Sequence, residues 1–308
     1  MDRRSLLGLM GSAAVATRVA ASPAEPLRPL ALDLSRPEDN LTAWMKMRGS
    51  LEGQDVYFWF TGGIDVAIPG EPIRPIVTVE TLILRRTRRI GPDGGAPTFH
   101  VSDWEASFYR HPDTGEVVDE LRNPVTGKTV QPLHYREGPV TFEYTAARQP
   151  RLVGLETPFA EKDEPFRQPW RVAGDTLWMT KAFYISGRPQ WLDIREFPEE
   201  TPATPMTVSS IAVMESRLSQ VLDPLLSSVP TSYSYQATCD WLPWMKLGQR
   251  PGYLVWHENG KKLFSLNELP ADSMAAIRRL HPVWFNRPVP WEGFTNLFFQ
   301  YREQRGRR

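Results

Sequence analysis

The chain has one cysteine, Cys239, in 308 residues, so no internal disulfide can brace it and its stability must come from a packed core. An excess of one charge sign is missing too. The 36 Lys and Arg balance 36 Asp and Glu, which leaves no electrostatic footprint for nucleic acid or an anionic membrane. The five histidines, His100, His111, His134, His257 and His281, form no His-x-His or His-Glu-x-x-His, and there is no cysteine pair. The expectation is no metal; a nonlocal set such as His134, His257 and Asp240 is the alternative that spacing cannot test. No Gly-x-Ser-x-Gly elbow is present, and Cys239, lacking a partner signature, reads as a small buried apolar residue. Neither a glycine-rich phosphate loop nor βαβ alternation occurs. That excludes Rossmann and P-loop folds and leaves no nicotinamide or flavin fingerprint. The expected protein works without a cofactor.

Proline, by contrast, is abundant: 29 residues, nearly twice the usual ~5%. Since proline interrupts helix interiors and central strands alike, the chain should consist of many short elements joined by turns, and a long-helix bundle is excluded. Strand signals run from residue 54 to 260. DVYFWFTG, IVTVETLILRR, TFHVSDWEASFYR, VTFEYTA, DTLWMTKAFYI, SYSYQAT and GYLVWHENG carry β-branched and aromatic residues, while HPDTGE and NPVTGK read as tight turns. Helical signals lie at the ends. SRPEDNLTAWMKM has Ser35 and Glu38 at capping-box spacing with Leu41, Trp44 and Met45 on one face. PADSMAAIRRL spaces Met274, Ile277 and Leu280 for one buried stripe. The expected fold is mostly β: a single antiparallel barrel or sandwich of about eight strands, with short helices near the two ends. The stretch 160–169 should be a loop that overhangs a pocket, and the basic end YREQRGRR a solvated tail. A weak echo between AWMKMRG and PWMKLGQR suggests two segments docking as equivalents at opposite edges of the sheet.

The N-terminus sets the compartment. MDRRSLLGLMGSAAVATRVAAS joins Arg3 and Arg4 to an apolar stretch from Leu6 to Ala16 and small residues up to Ala21, the pattern of an export signal. About eleven apolar positions fall short of the roughly twenty that span a bilayer. The paired arginines are similar to a bacterial twin-arginine signal, although Leu6 and Gly8 depart from its usual Phe and Lys; an ordinary secretory signal is the alternative. The expected organisation is a signal over residues 1–21 and one β-rich domain over 22–308, periplasmic, with no membrane anchor in the mature form.

HPDTGEVVDELRNPVTGKTVQPLHY, WLPWMKLGQRPGYLVWHENGKKL and LNELPADSMAAIRRLHPVWF together resemble a bacterial and fungal family, domain-of-unknown-function family 1838. The turn block with Asn123, Pro124, Thr126, Gly127 and His134, and the block Pro243, Trp244, Met245 and Lys246, carry the likeness. The resemblance implies an exported or cytosolic single-domain protein and transfers no catalytic residues.

What remains is acid–base chemistry in an aromatic-lined cavity, or binding alone. The 11 Trp, 9 Tyr and 14 Phe supply flat faces against which a hydrophobic ring can stack. The segment CDWLPWMKLGQRPGYLVWHENGKKL concentrates the candidates. Strand alternation turns Tyr253, Val255 and His257 one way and Leu254, Trp256 and Glu258 the other. His257 suits a general acid or base near neutral pH, Lys246 an oxyanion contact and Asp240 an orienting carboxylate. Trp244, Tyr253, Arg250, Tyr144 and Trp59 are the expected substrate contacts. For each residue the alternative is a structural seam, with the tryptophans in the core and the charged groups solvated. In SDWEASFY, Asp103, Glu105, Ser107 and Tyr109 share a face that either lines the cavity or meets water; Asp103, Glu105 and Tyr144 are the second candidate site. The expected function is an exported, cofactor-independent lyase acting by proton transfer on a hydrophobic aromatic small molecule, through retro-aldol cleavage or elimination, ahead of an isomerase or hydrolase. A lipocalin-like carrier that binds such a molecule unchanged is the alternative, and a surface interaction module without a cavity is the third.

Overall fold

The protein is described by a computed structural model covering residues 32–91, 97–154, 163–186, 192–202, 207–286, 290–291 and 293–306. The expected export signal lies outside these residues. The strands are β1 (Val56–Ala67), β2 (Arg74–Ile90), β3 (Thr98–Arg110), β4 (Leu121–Arg122), β5 (Thr129–Val130), β6 (Tyr135–Thr145) and β7 (Arg151–Leu152), then β8 (Trp170–Ala173), β9 (Thr176–Ser186), β10 (Thr207–Arg217), β11 (Ser232–Cys239) and β12 (Tyr253–Leu263). The helices are α1 (Pro37–Arg48), α2 (Leu218–Leu222), α3 (Ala271–Leu280) and α4 (Leu297–Gly306).

Ten strands form one antiparallel sheet in the order β7-β6-β3-β2-β1-β12-β11-β10-β9-β8, with β4 and β5 paired separately. The mostly β expectation holds. The closed form does not: the sheet is larger than the expected eight strands and is not closed, running from β7 at one edge to β8 at the other. It is nevertheless strongly bent. Lys181 of β9 lies over the Phe142 ring of β6 at 5.2 Å, although six strands separate them in the sheet. Accumulated strand twist brings such distant strands face to face across an interior.

Alternation decides what that interior contains. On its side the register aligns Phe60 with Thr81, Thr81 with Ser107, and Ser107 with Tyr135. In the neighbouring row Gly62 stands opposite Glu258, and Glu258 opposite Tyr235. A Cβ at Gly62 would collide with the backbone carbonyl of His257, so glycine is what lets β12 approach β1 at the level of Glu258. The strand β10 escapes notice in the sequence because its inward residues include Ser210, Ala212 and Ser216, while Ile211 points out at 50% exposure. Its period of 2 is intact; its hydrophobicity is on the unexpected side.

Two segments outside the strands each bury a tryptophan. Trp44 on α1 packs with Phe99, Val101, Tyr144, Met179 and Met214; Trp244 packs with Ile64, Val77 and Tyr109. The two segments of the sequence echo thus belong to two different core clusters. The Ser35–Glu38 box does not form. Arg36 is the N-cap residue without a side-chain hydrogen bond, and Ser35 instead donates to Asp33. The far end of α1 is held by Lys262, whose ammonium donates to the carbonyls of Lys46 (2.8 Å) and Gly49 (2.6 Å) and to Ser228 Oγ (2.6 Å). A buried amine, whose proton affinity burial lowers, thereby satisfies carbonyls that the helix end leaves open.

On the outer side, α3 buries Ala276 and Ile277 against Leu82, Leu84, Ala106 and Phe108, with Met274 and Leu280 partly buried beside them. The expected basic tail is instead α4, where Tyr301 is buried and both Tyr301 Oη and Arg305 bond Glu200. The loop expected to overhang the pocket is described from residue 163 onward. There Phe166 is fully buried in the α1 cluster, away from the cavity lining.

Candidate active site

The interior holds a cavity of about 390 Å³. Its walls are aromatic, including Phe60, Tyr235, Trp241, Trp256 and Phe294, and its polar groups include the carboxyls of Glu105, Glu258 and Asp240. This is the usual make-up of a small-molecule site: apolar surface with a few converging polar groups.

Glu105 and Glu258 are connected. Ser107 Oγ lies 2.7 Å from Glu105 Oε1, the Thr81 and Ser107 hydroxyls are 3.0 Å apart, and Thr81 Oγ1 lies 3.3 Å from Glu258 Oε1. Tyr135 hydrogen-bonds Glu105 from a further strand. Three contacts in the row Glu105–Ser107–Thr81–Glu258 need three hydrogens, and the two hydroxyls supply only two. Where Ser107 donates to Glu105 and Thr81 to Glu258, both hydroxyl hydrogens are spent on the carboxyls; a proton retained on either glutamate supplies the third and completes the row. With Glu258 protonated all donors point toward Glu105; with Glu105 protonated all point back.

The electrostatics agree with one retained proton. Burial pushes the Glu258 carboxyl up to about 8, the nearby Glu105 charge adds to the rise, and the Thr81 hydrogen bond opposes it. Burial also raises Glu105, against hydrogen bonds from Ser107 and Tyr135 that favour its ionised form. Glu105 has more hydrogen-bond donors, so it is the better anion and Glu258 the better acid near neutral pH. One buried acid, one buried base and a hydroxyl bridge between them form an acid–base pair set in an apolar cavity.

Beyond Glu105 on β3 the interior becomes cationic. Asp103 receives Arg85 Nε (2.6 Å), Arg85 Nη2 (2.9 Å) and Arg48 Nη2 (2.8 Å). Arg48 and Arg85 retain 6% and 4% of their side-chain exposure, whereas Asp103 retains 19%. Lys181 faces the same group, and burial, with the two guanidiniums, lowers its ammonium to about 7 against the pull of Asp103.

The residues expected from sequence are dispersed by this architecture. His257 was expected in the cavity; it lies on the outer face, 52% exposed in its side chain, with its ring across Gly63 and Nε2 3.1 Å from Asp65. The alternation itself was read correctly, but Glu258 and Trp256 face inward. Tyr253, on the His257 face, is 47% exposed and also lies outside. Lys246 sits in the left-handed region (φ 53°) closing the short 3-10 turn Pro243–Met245, and Arg250 is exposed, its carbonyl accepting from Trp241 Nε1; neither lines the cavity. Trp244 is fully buried, 5.3 Å from the Tyr109 ring, and belongs to the core. Trp59 is on the outer face, donating Nε1 to Glu80 Oε1 at 2.9 Å. Tyr144 is buried against Phe166 and near Arg48, away from the cavity lining. Of the eight, Asp240 alone lines the cavity, accepting Thr207 N–H at 3.2 Å.

Glu105, from the second candidate set, is at the site; Glu258, Thr81, Ser107 and Tyr135 complete it. Their sequence signal is a carboxyl or hydroxyl at an inward position of a strand, visible only once the inward face is known. The metal alternative is not assembled, since His134 packs on Tyr109 while His257 is outside. Among the described residues no group of three His, Cys, Asp or Glu is placed to hold a metal.

A single side chain links the two blocks that carry the family likeness. Buried Asn123 donates Nδ2 to the Met245 carbonyl (2.8 Å), while its Oδ1 accepts Val125 and Thr126 N–H. It therefore ties the turn block to the Trp244 block beside the cavity. The model of the family "Protein of unknown function (DUF1838)" matches residues 53–299, and the chain belongs to that family. A comparison with curated proteins gives no match.

Proposed function

We propose that this protein is a cofactor-independent acid–base enzyme acting on a hydrophobic aromatic small molecule, and that its reaction is a lyase reaction: an elimination or a retro-aldol cleavage. What supports the reading is the one-proton pair Glu105–Glu258 in an aromatic cavity. Glu105 removes a proton from the substrate, from carbon in an elimination or from hydroxyl in a cleavage. Glu258 donates its proton to the leaving group or to the developing enolate. The pair then stands reversed, with Glu105 protonated and Glu258 ionised. One concerted shift along Ser107 and Thr81 restores the starting state, so protons balance over each turnover. The aromatic walls give the two carboxyls apolar surroundings, which keeps the acid–base contrast large.

Product analysis after incubation with aromatic β-hydroxy carbonyl compounds tests the reading. Turnover should fall by about 100- to 10,000-fold in Glu105→Gln and in Glu258→Gln. Saturable binding of these compounds without any product would instead favour a carrier. The proposed site of action is the bacterial periplasm, reached by the Arg3–Arg4 signal. Arg3→Lys with Arg4→Lys should leave the precursor in the cytoplasm at full length, and unchanged export would point to the ordinary secretory route.

A further inference from the structure

The cationic end of the interior has more donors than acceptors. Both Asp103 oxygens are used, taking three N–H bonds from Arg48 and Arg85. Lys181 Nζ makes no hydrogen bond or ion pair among the described residues; its recorded contact is the Phe142 ring. Among the described residues, Arg48 Nε and Tyr144 Oη are likewise buried without partners. Every one of these unmet groups can donate, and two guanidiniums and the Lys181 amine face one carboxylate. Buried charge left in excess is costly, and an anion is what would relieve it. The cluster also borders open space, because Asp103 keeps 19% exposure and Lys181 is only half-buried. It lies just outside the cavity lining and adjoins it through Tyr233, which lines the wall and lies close enough to Arg48 and Arg85 to feel both charges. Ile83 and Glu105 also join the two, lining the wall two residues from Arg85 on β2 and Asp103 on β3.

We infer that the ligand of this cavity is a carboxylate, an aromatic acid whose anionic end is drawn to Lys181 and the Arg48–Arg85 pair while its ring lies among the aromatic walls. This rests on the acid–base reading only for what happens to the ligand, since charge selection does not require turnover. Asp103 and Glu105 are two residues apart on β3, roughly 7 Å along a strand. The reacting carbon therefore lies at about that distance from the carboxylate, separated from it by several bonds. Among the described residues, the groups that face Lys181 are Arg48 from α1, Arg85 from β2, Asp103 from β3 and Phe142 from β6, and Asp103 is the one acid of that set.

The test compares 1-naphthoate with its neutral isostere 1-naphthamide, using quenching of tryptophan fluorescence on the full chain. Naphthoate should bind more tightly by about tenfold or more, the scale of one charge-assisted hydrogen bond. Lys181→Met should abolish the preference and Lys181→Arg should keep it. Equal affinities in the wild type overturn the inference without any variant, as does a preference that survives Lys181→Met. Glu258→Gln should keep the preference whether or not the wild type shows turnover, so failure of the catalytic reading and failure of this one are distinguishable.

Discussion

Glu105 on β3 and Glu258 on β12 stand with two strands between them, yet two hydroxyls link their carboxyls through contacts of 2.7, 3.0 and 3.3 Å. Removing one hydroxyl should leave both carboxyls in place and break the link. Thr81→Val keeps the shape of the side chain and loses the hydroxyl. Turnover should fall while ligand affinity stays near normal, and the pH profiles of the two carboxyls should become independent. An unaltered profile would mean that the bridge carries no proton.

Glu258 also makes a stability prediction of definite sign. Its folded carboxyl titrates at about 8 against an ordinary 4.5, so the fold favours the protonated form. Its contribution to stability is complete below pH 4.5 and is lost as pH rises through 8. Glu258→Gln is neutral at every pH. The variant should gain about 1–3 kcal/mol over the wild type at pH 8, read by denaturant unfolding, while losing activity. A variant less stable than the wild type at pH 8 would show that Glu258 is not held as the acid.

His134 and His281 act in the opposite direction. Burial lowers both to about 4 from an ordinary 6.5. The fold holds them neutral, so their contribution is complete above pH 6.5 and is lost as pH falls toward 4. Because Glu258 gains over part of the same range, the histidine effect is best read by difference. His281→Gln can still donate to the Ser107 carbonyl that His281 Nε2 contacts at 3.0 Å. Between pH 7 and 5 the wild type should lose about 1–2 kcal/mol relative to this variant. Parallel stability curves would contradict a neutral buried His281.

Positions in the opening aromatic segment should divide by burial. His257→Ala should leave turnover unchanged and cost about 0–1 kcal/mol, as expected of an exposed pair with Asp65. Trp244→Ala should cost about 3–5 kcal/mol through loss of a buried indole. A large catalytic loss in His257→Ala with intact stability would return the site to the outer face.

Asn123→Ala tests the tie between the two motif blocks. It removes the bond to the Met245 carbonyl and the Asx turn together, and should cost about 1–3 kcal/mol. Ligand affinity should fall with it, since Trp241 and Leu242 of the cavity wall lie in the adjoining segment.

Much of the strand layout was legible in the sequence because β-branched and aromatic runs between proline- and glycine-marked turns report local backbone preference. The faces of β3 and β12 were legible too, since a period of 2 is a property of the strand alone. Which face is inside was not. His257 and Glu258 are adjacent, and a histidine looks the more obvious catalyst near neutral pH; only the bend of the whole sheet turns Glu258 inward and leaves His257 in water. The same bend joins Glu105, Ser107, Thr81 and Glu258 from three strands, and it sets Lys181 against Arg48, Arg85 and Asp103. These groups are far apart in the chain, and their altered proton affinities come from burial and from one another. Composition and local periodicity determined a β-rich chain with an aromatic interior; long-range curvature decided which charges that interior encloses.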